Sequence, residues 1–326
     1  MGITSFKSNT NLSVLRPLAA LLLMMIVMAF LSDKFATSDN LFNILRQVSV
    51  NLCISVGMTM IILTGGIDLS VGSILALSGA VAAGLMKNGI SMEGADTFIG
   101  FTFLGCVLAA LIVGGALGFF NGVMVTKFKV PPFVATLAML TIARGLTMLY
   151  TNGYPITGLG DEFAYLGTSW FWGMPVPVWV ALIIIVIFVF FMRKSKTGRY
   201  IYAIGGNEKA TLLSGININK VKIAVYTLTG ILCAVAGLLV TARLDSAQPN
   251  AGTGYELDSI AAVVIGGTSL SGGKGTITGT VIGALIIGVL NNGLVLLNVS
   301  PFWQQVIKGF VILLAVILDR MNEKKK

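Results

Sequence analysis

The stretch RKSKTGRYIYAIGGNEKATLLSGININKVK, residues 193–222, interrupts a chain that is otherwise almost all apolar, and it carries seven of the 22 Lys and Arg residues. No other interval of comparable length suits water so well. Inside it, GGNEKATLLSGI (205–216) offers a glycine pair, Asn207 placed as a helix N-cap, Glu208 in the first turn, and Ala210, Leu212 and Leu213 as a small apolar face. Gly215 then acts as a stop. The pattern predicts a short surface helix. Two turns cannot be stable alone, because helix nucleation costs more than so few residues recover. The helix must press either on the body of its own chain or into a groove of a partner.

The body of the chain is a membrane protein. Of its 326 residues 56% are hydrophobic and 11% charged, with a mean hydropathy of +0.91, whereas soluble chains carry roughly 25% charged residues. The net charge of +9 would suggest nucleic acid in a soluble protein. Here the placement of the charges matters more than their sum, and no nucleic-acid partner is expected.

Apolar windows give ten candidate spans, near 17–33, 48–64, 70–86, 98–125, 133–151, 176–192, 221–242, 258–271, 276–297 and 302–319. The expected fold is an all-α polytopic membrane protein of about ten transmembrane helices. It has an N-terminal tail at 1–16, one transmembrane domain at 17–326 and a basic tail at 320–326. The eighth window is short for a crossing of about 30 Å and reads as a broken or re-entrant segment. With the N-terminus inside and all ten crossing, 16 of the 22 basic residues fall on the inner side. The outer side gathers acids: Asp33, Asp39, Glu93, Asp96, Asp161, Glu162, Asp245, Glu256 and Asp258. By the positive-inside rule both termini and 193–222 are expected in the cytoplasm. No small-x-small cleavage site follows the first span, which is expected to stay uncleaved. Cys53, Cys106 and Cys233 lie in spans without disulfide or metal spacing, as small apolar packers.

Several local patterns carry more information. The stretch 38–50 reads as an amphipathic lead-in at the outer surface. GGIDLSVGS at 65–73 is echoed by GGTSLSGGKG at 266–275 with a constant offset of 201, a candidate internal repeat. Asp68 and Ser70 there read either as helix caps or as part of a path. Gly114, Gly118 and Gly122, and Gly275, Gly279 and Gly283, form ladders that let helices approach closely, within the bundle or across a dimer seam. Among the few polar residues in spans, Asn51, Asn121 and Arg144 are candidates for a translocation path. Arg144 must face protein or water, whereas Lys308, close to a span end, could snorkel. The aromatic-rich segment 152–179 suits an interfacial belt. Arg243, Asp245, Glu256 and Asp258 compose a charged, mostly solvated outer patch suited to docking a partner.

The missing chemistry narrows the function. There is no His, hence no His-based catalysis or ordinary zinc site. GGTSLSGGKGT fails as a phosphate-binding loop, because Gly275 stands where Ser or Thr must follow Lys274. The acids lie at ends and loops rather than within spans, so internal ion coupling lacks an apparatus. The chain reads as a non-enzymatic transport subunit with no cofactor and no metal, powered from outside.

The strings GGIDLSVGSILALSGAVAAG, YTNG at 150–153, GRYIYAIGGNEKATLLSGININKVKI and SAQPNAGTGYELDSIAAVVIGGTSLSGGKGTITGTVIGALIIGVLNNG then add a resemblance. Over about residues 38–318 the chain is similar to bacterial ribose permeases. These are membrane subunits of ATP-binding-cassette (ABC) monosaccharide importers of the ribose, xylose and galactose branch. The resemblance implies an ABC importer permease fold in the bacterial inner membrane and a homodimer around one path for a monosaccharide. It further implies a periplasmic sugar-binding protein outside and a cytoplasmic ABC ATPase subunit inside, besides the surrounding lipid. By position, Gly205, Gly206, Asn207, Glu208, Ala210, Ser214 and Gly215 are similar to the family's cytoplasmic coupling helix and are expected to contact the ATPase. Relatives that carry other sugars or autoinducer-2 share much of the pattern, with ribose suggested mainly by the string beginning SAQPNAGTG.

Overall fold

The structure, a computed structural model, describes residues 6–91 and 98–324. Residues 1–5 of the N-terminal tail, Glu93, Asp96, Lys325 and Lys326 lie outside the described residues, as do the side chains of Lys7, Arg320 and Lys324.

Thirteen helices follow one another among the described residues. They are α1 (Phe6–Leu31), α2 (Ser38–Leu63), α3 (Val71–Asn88), α4 (Phe103–Thr126), α5 (Pro132–Thr151), α6 (Asp161–Thr168), α7 (Val176–Lys194), α8 (Lys196–Gly206), α9 (Glu208–Leu213), α10 (Ile218–Leu244), α11 (Tyr255–Ile265), α12 (Ile277–Leu296) and α13 (Pro301–Lys324). Short side chains begin many of them. The hydroxyls of Thr37, Thr102, Ser195 and Thr276 and the amide oxygens of Asn207 and Asn217 each accept a backbone N–H in the first turn, satisfying donors that a helix start otherwise leaves open.

Seven helices, α2, α3, α4, α5, α7, α10 and α12, are long and apolar enough to cross a membrane, and Leu15–Leu31 of α1 and Pro301–Ile317 of α13 form shorter apolar stretches. Among the described residues these seven and two do not confirm the expected count of about ten. The eighth window forms only the 11 residues of α11, about 16 Å of helix against the roughly 30 Å of a bilayer core. Two further expectations are corrected. The stretch 38–50 is no separate surface helix but the first half of α2. The first helix starts at Phe6, eleven residues before the expected span, and runs through Pro17.

The apolar windows of α2, α3 and α10 are 78%, 72% and 67% buried, against 22% for α4 and 28% for α5 and α7. The first three therefore form the centre and the others an outer layer. Glycine ladders set the close approaches, and both expected ladders pack within the chain. A Cβ on Gly114 or Gly118 would meet the backbone of Gly230 or Tyr226 in α10, and one on Gly283 would meet Ala262 O of α11. A dimer seam is not their use. Where hydrophobicity cannot drive helices together, such backbone contact supplies the packing.

The two glycine-rich turns stop their helices alike. Gly66 N–H donates to Ile61 O and Thr268 N–H to Val263 O, each closing a left-handed glycine at Gly65 or Gly267. These glycines are 202 residues apart. The offset of 201 holds instead for the following bonds, Asp68 Oδ1 with Ser70 N and Ser269 Oγ with Ser271 N.

Candidate coupling segment and translocation pathway

At the end of the bundle that carries 193–222, two helices form where one was expected. The apolar face of α8 seats Ile201 and Ile204 in the core. Tyr202 Oη donates to Gly275 O at 2.9 Å, and burial pushes its phenol pKa up. The helix ends on Gly205 and Gly206, which therefore close α8 rather than precede α9. A Cβ on Gly205 would lie 1.8 Å from Leu63 O and 2.3 Å from Gly273 N, and Gly273 N–H itself donates to Leu63 O at 3.0 Å. Three backbones, those of α8, the end of α2 and the 266–276 turn, thus meet where no side chain fits.

Asn207 then breaks the chain direction with φ −161° and caps α9 through Oδ1 to Ala210 N, 2.9 Å. Both oxygens of Glu208 accept from Lys222 Nζ at 2.9 Å, fixing α9 to the first turns of α10. Thr211 is buried beneath, and Ser214 Oγ donates to Ala210 O at 3.0 Å. Gly215, at φ +80°, reverses the chain, a conformation that glycine takes without penalty. Leu212 and Leu213 are left 61% and 88% exposed. Beside them opens a cavity of about 680 Å³ lined by Lys129, Glu208, Lys209, Leu212, Ile216 and Ile218. Of the short helix itself only Thr211 packs on the bundle, and the leucine face of α9 points away from it.

The three path candidates do not converge. Asn51 is half-buried on α2, and its Oδ1 finds no partner among the described residues. Asn121 is fully buried and donates through Nδ2 to Ser70 Oγ at 2.9 Å. Ser70 Oγ in turn donates to Asp68 Oδ1 at 2.6 Å. Asn121 therefore braces α4 against the 64–70 turn. The capping is done by the Asp68 carboxylate on Ser70 N–H, not by the Ser70 hydroxyl. Among the described residues, Arg144 has no carboxylate at bonding distance. Its Nη1 donates to Pro249 O at 2.6 Å and Ala251 O at 2.9 Å.

The four charges expected on the outer side are not one solvated patch. Asp245 is exposed and ends α10 in the left-handed region, its Oδ1 accepting from Leu159 N at 3.0 Å. Arg243 and Glu256 are half-buried, and Glu256 Oε1 accepts from Gly254 N at 3.2 Å. Asp258 is only 5% exposed and pairs with Lys308 Nζ at 3.1 Å, Asn291 Nδ2 lying 3.4 Å from the same oxygen. This corrects two expectations. Asp258 offers no solvated surface, and Lys308 does not snorkel, because a buried carboxylate on α11 takes its charge.

Residues 40–316 match the family described as "Branched-chain amino acid transport system / permease component". The chain belongs to that family. The permease is 53% identical over 312 residues to the ribose import permease protein of Escherichia coli (strain K12), 94% of each chain. It is 48% identical over 327 residues to that of Haemophilus influenzae, 99% of this chain and 98% of the relative. It is also 40% identical over 292 residues to the D-allose transport system permease protein of Escherichia coli (strain K12), 90% and 86% of the two chains. No solved structure matches it.

Sequence reasoning missed Tyr202, Lys222 and the meeting of Gly205 with Gly273, which place the permease's short helix. Tyr202 and Lys222 stood inside the quoted segment, but their partners are 73 and 14 residues away. It also missed Gly72 and Gly252. A Cβ on Gly72 would lie 2.1 Å from Gly252 O, so the 248–254 segment touches the start of α3. Interruptions in two glycine-punctuated regions were the available signal.

Proposed function

We infer that this permease is the membrane subunit of an ATP-driven importer of D-ribose. The observation that carries the reading is the 48–53% identity over nearly the whole chain to ribose import permease proteins from three species. A chain with no nucleotide-binding loop of its own takes its power from a separate cytoplasmic ABC ATPase. It takes its sugar from a periplasmic binding protein, and two copies enclose one path. The positive-inside distribution supports cytoplasmic termini in a bacterial inner membrane, with 193–222 facing the ATPase.

In this reading α9 is the contact with the motor. Asn207 starts it, Glu208 fixes it to Lys222, and Ala210, Ser214 and Gly215 shape its far turn, leaving Leu212, Leu213 and the adjoining cavity to fit the partner. Gly205 and Gly206 join it to α8. Closure of the ATPase pair moves this arm, and the two bundles rock between outward and inward openings. Arg144 and Asn51 belong to the path and Asn121 to its bracing. Arg243 and Asp245 form the rim toward the binding protein, while Glu256 lies deeper, beside Gly72 at the start of α3.

The test is ATP-driven uptake by the permease reconstituted with its ATPase and binding protein, using ribose, allose, xylose and galactose. Ribose is expected to be carried fastest. Equal uptake without ATP or ATPase would overturn the importer reading, and preference for another sugar would overturn ribose.

A further inference from the structure

The segment 248–254, QPNAGTG, is not at the rim. The chain leaves the rim at Ser246–Ala247, which pair with Ile156–Thr157, and then turns into the bundle. Two contacts measure how deep. Arg144, which holds Pro249 O and Ala251 O, stands seven residues before the end of α5 at Thr151, about 10 Å of helix. Gly252, at φ +71°, abuts Gly72 backbone to backbone. Gly72 lies 16 residues from the end of α3 at Asn88, about 24 Å of helix. From there α11 continues toward the other end of the bundle, with Gly266 against Gly279 near the start of α12.

Non-helical backbone at such depth is tolerated only where protein covers it or water fills a space beside it. Much of this segment is covered, with Pro249 and Gly252 buried, but Asn250 and Thr253 are exposed. The Asn250 side chain makes no hydrogen bond among the described residues. Thr253 Oγ1 donates to Asn250 O at 2.8 Å, which leaves its lone pairs free to accept. An unpaired amide and a hydroxyl facing lipid would each carry a desolvation cost with no compensating bond.

We propose that 248–254 lines the aqueous route through the permease and that the Asn250 amide and Thr253 hydroxyl are the groups that meet the hydroxyls of the passing monosaccharide. Arg144 is the positioning residue: its guanidinium bonds hold two carbonyls of the segment so that these side chains face the route. An amide that both donates and accepts, beside a hydroxyl that accepts, suits a vicinal diol. The contacts are few, as a route that must also release its cargo requires. This inference rests on the sugar-importer reading, and its first test does not depend on it.

That first test is chemical access. Asn250→Cys and Thr253→Cys are placed in the full permease in membranes and exposed to a membrane-impermeant thiosulfonate. The native Cys53, Cys106 and Cys233 are buried and give a low background. Both introduced thiols are expected to react, whereas Leu146→Cys on the outer face of α5 should not. Failure of both to react would mean that lipid or a second copy covers the segment, and would overturn the proposal. Arg144→Met should change the reaction rate at Thr253→Cys by more than about threefold, with Arg144→Lys restoring it. Equal rates in all three backgrounds would remove Arg144 from its role.

The second test uses the complete importer. The Asn250→Ala, Thr253→Val double variant is expected to lower ribose uptake about tenfold, the loss of one or two hydrogen bonds. ATP hydrolysis stimulated by loaded binding protein should stay within about twofold of the unaltered complex. Unchanged uptake, or uptake and stimulation lost together, would sink the sugar contact. Absence of ATP-driven uptake in the unaltered complex would instead fail the importer reading and leave the access result standing.

Discussion

Single residues decide more here than their chemistry alone suggests. Gly205 and Gly206 are neighbours of the same type, yet a Cβ on the first meets Leu63 O and Gly273 N while one on the second meets nothing within 4 Å. Gly205→Ala is therefore expected to lower the thermal stability of the detergent-solubilised permease by about 1–3 kcal/mol through overpacking against backbone, and Gly206→Ala to leave it nearly unchanged. Equal melting temperatures for the two would contradict the interlock. The Asp258–Lys308 pair gives a second residue-scale prediction. Asp258→Asn leaves Lys308 without its acid, and Lys308→Met leaves a carboxylate buried, so the latter should cost more, about 3 kcal/mol. The double replacement should recover part of that loss, measured as a double-mutant cycle on melting temperature. None of this was legible in the sequence. Asp258 read as a solvated acid because charge beside glycine and proline turns is the usual mark of a loop, and the partner that buries it comes 50 residues later.

At the scale of elements, the short helix was readable and its setting was not. Asn207, Glu208 and Gly215 predicted the start and stop of α9 because capping and left-handed glycine are local chemistry. The helix before it was not foreseen. KTGRYIYAIGG is rich in glycine and basic residues, and it becomes helical because Ile201 and Ile204 find a core to enter. Two predictions belong here. Asn207→Ala removes the cap of α9 and should destabilise that turn by about 1 kcal/mol, seen as faster hydrogen exchange confined to 208–214. Leu213→Asp, on a side chain 88% exposed, should leave the melting temperature within about 0.5 kcal/mol of the original while abolishing copurification of the ATPase. Copurification that survived would remove the leucine face from the contact.

For the whole molecule, composition identified a membrane bundle, and apolar windows located seven of its helices to within five residues at each end, while α1 and α2 begin eleven and ten residues before their windows. Counting spans was harder, because a window measures apolar length and not whether the chain completes its crossing. α11 stops halfway when Gly266 and Gly267 end it. Which helices pair was hidden too: the ladder of α4 fits α10, over 100 residues later, and nothing in its spacing names that partner. Topology gives the prediction at this scale. In intact cells a single cysteine at Lys209 should resist an impermeant thiol reagent until the membrane is opened, while one at Tyr154 should react at once. The reverse pattern would invert the assigned orientation.

The joint at Gly205 is made of main chain on all three sides. Side chains yield by changing rotamer, whereas carbonyls and amides held by their own helices have no such slack, so a displacement of the arm reaches α2 and the 266–276 turn undiminished. If the exposed face of α9 receives a motor as proposed, that face can drift in evolution to suit a different engine without loosening the gearbox behind it.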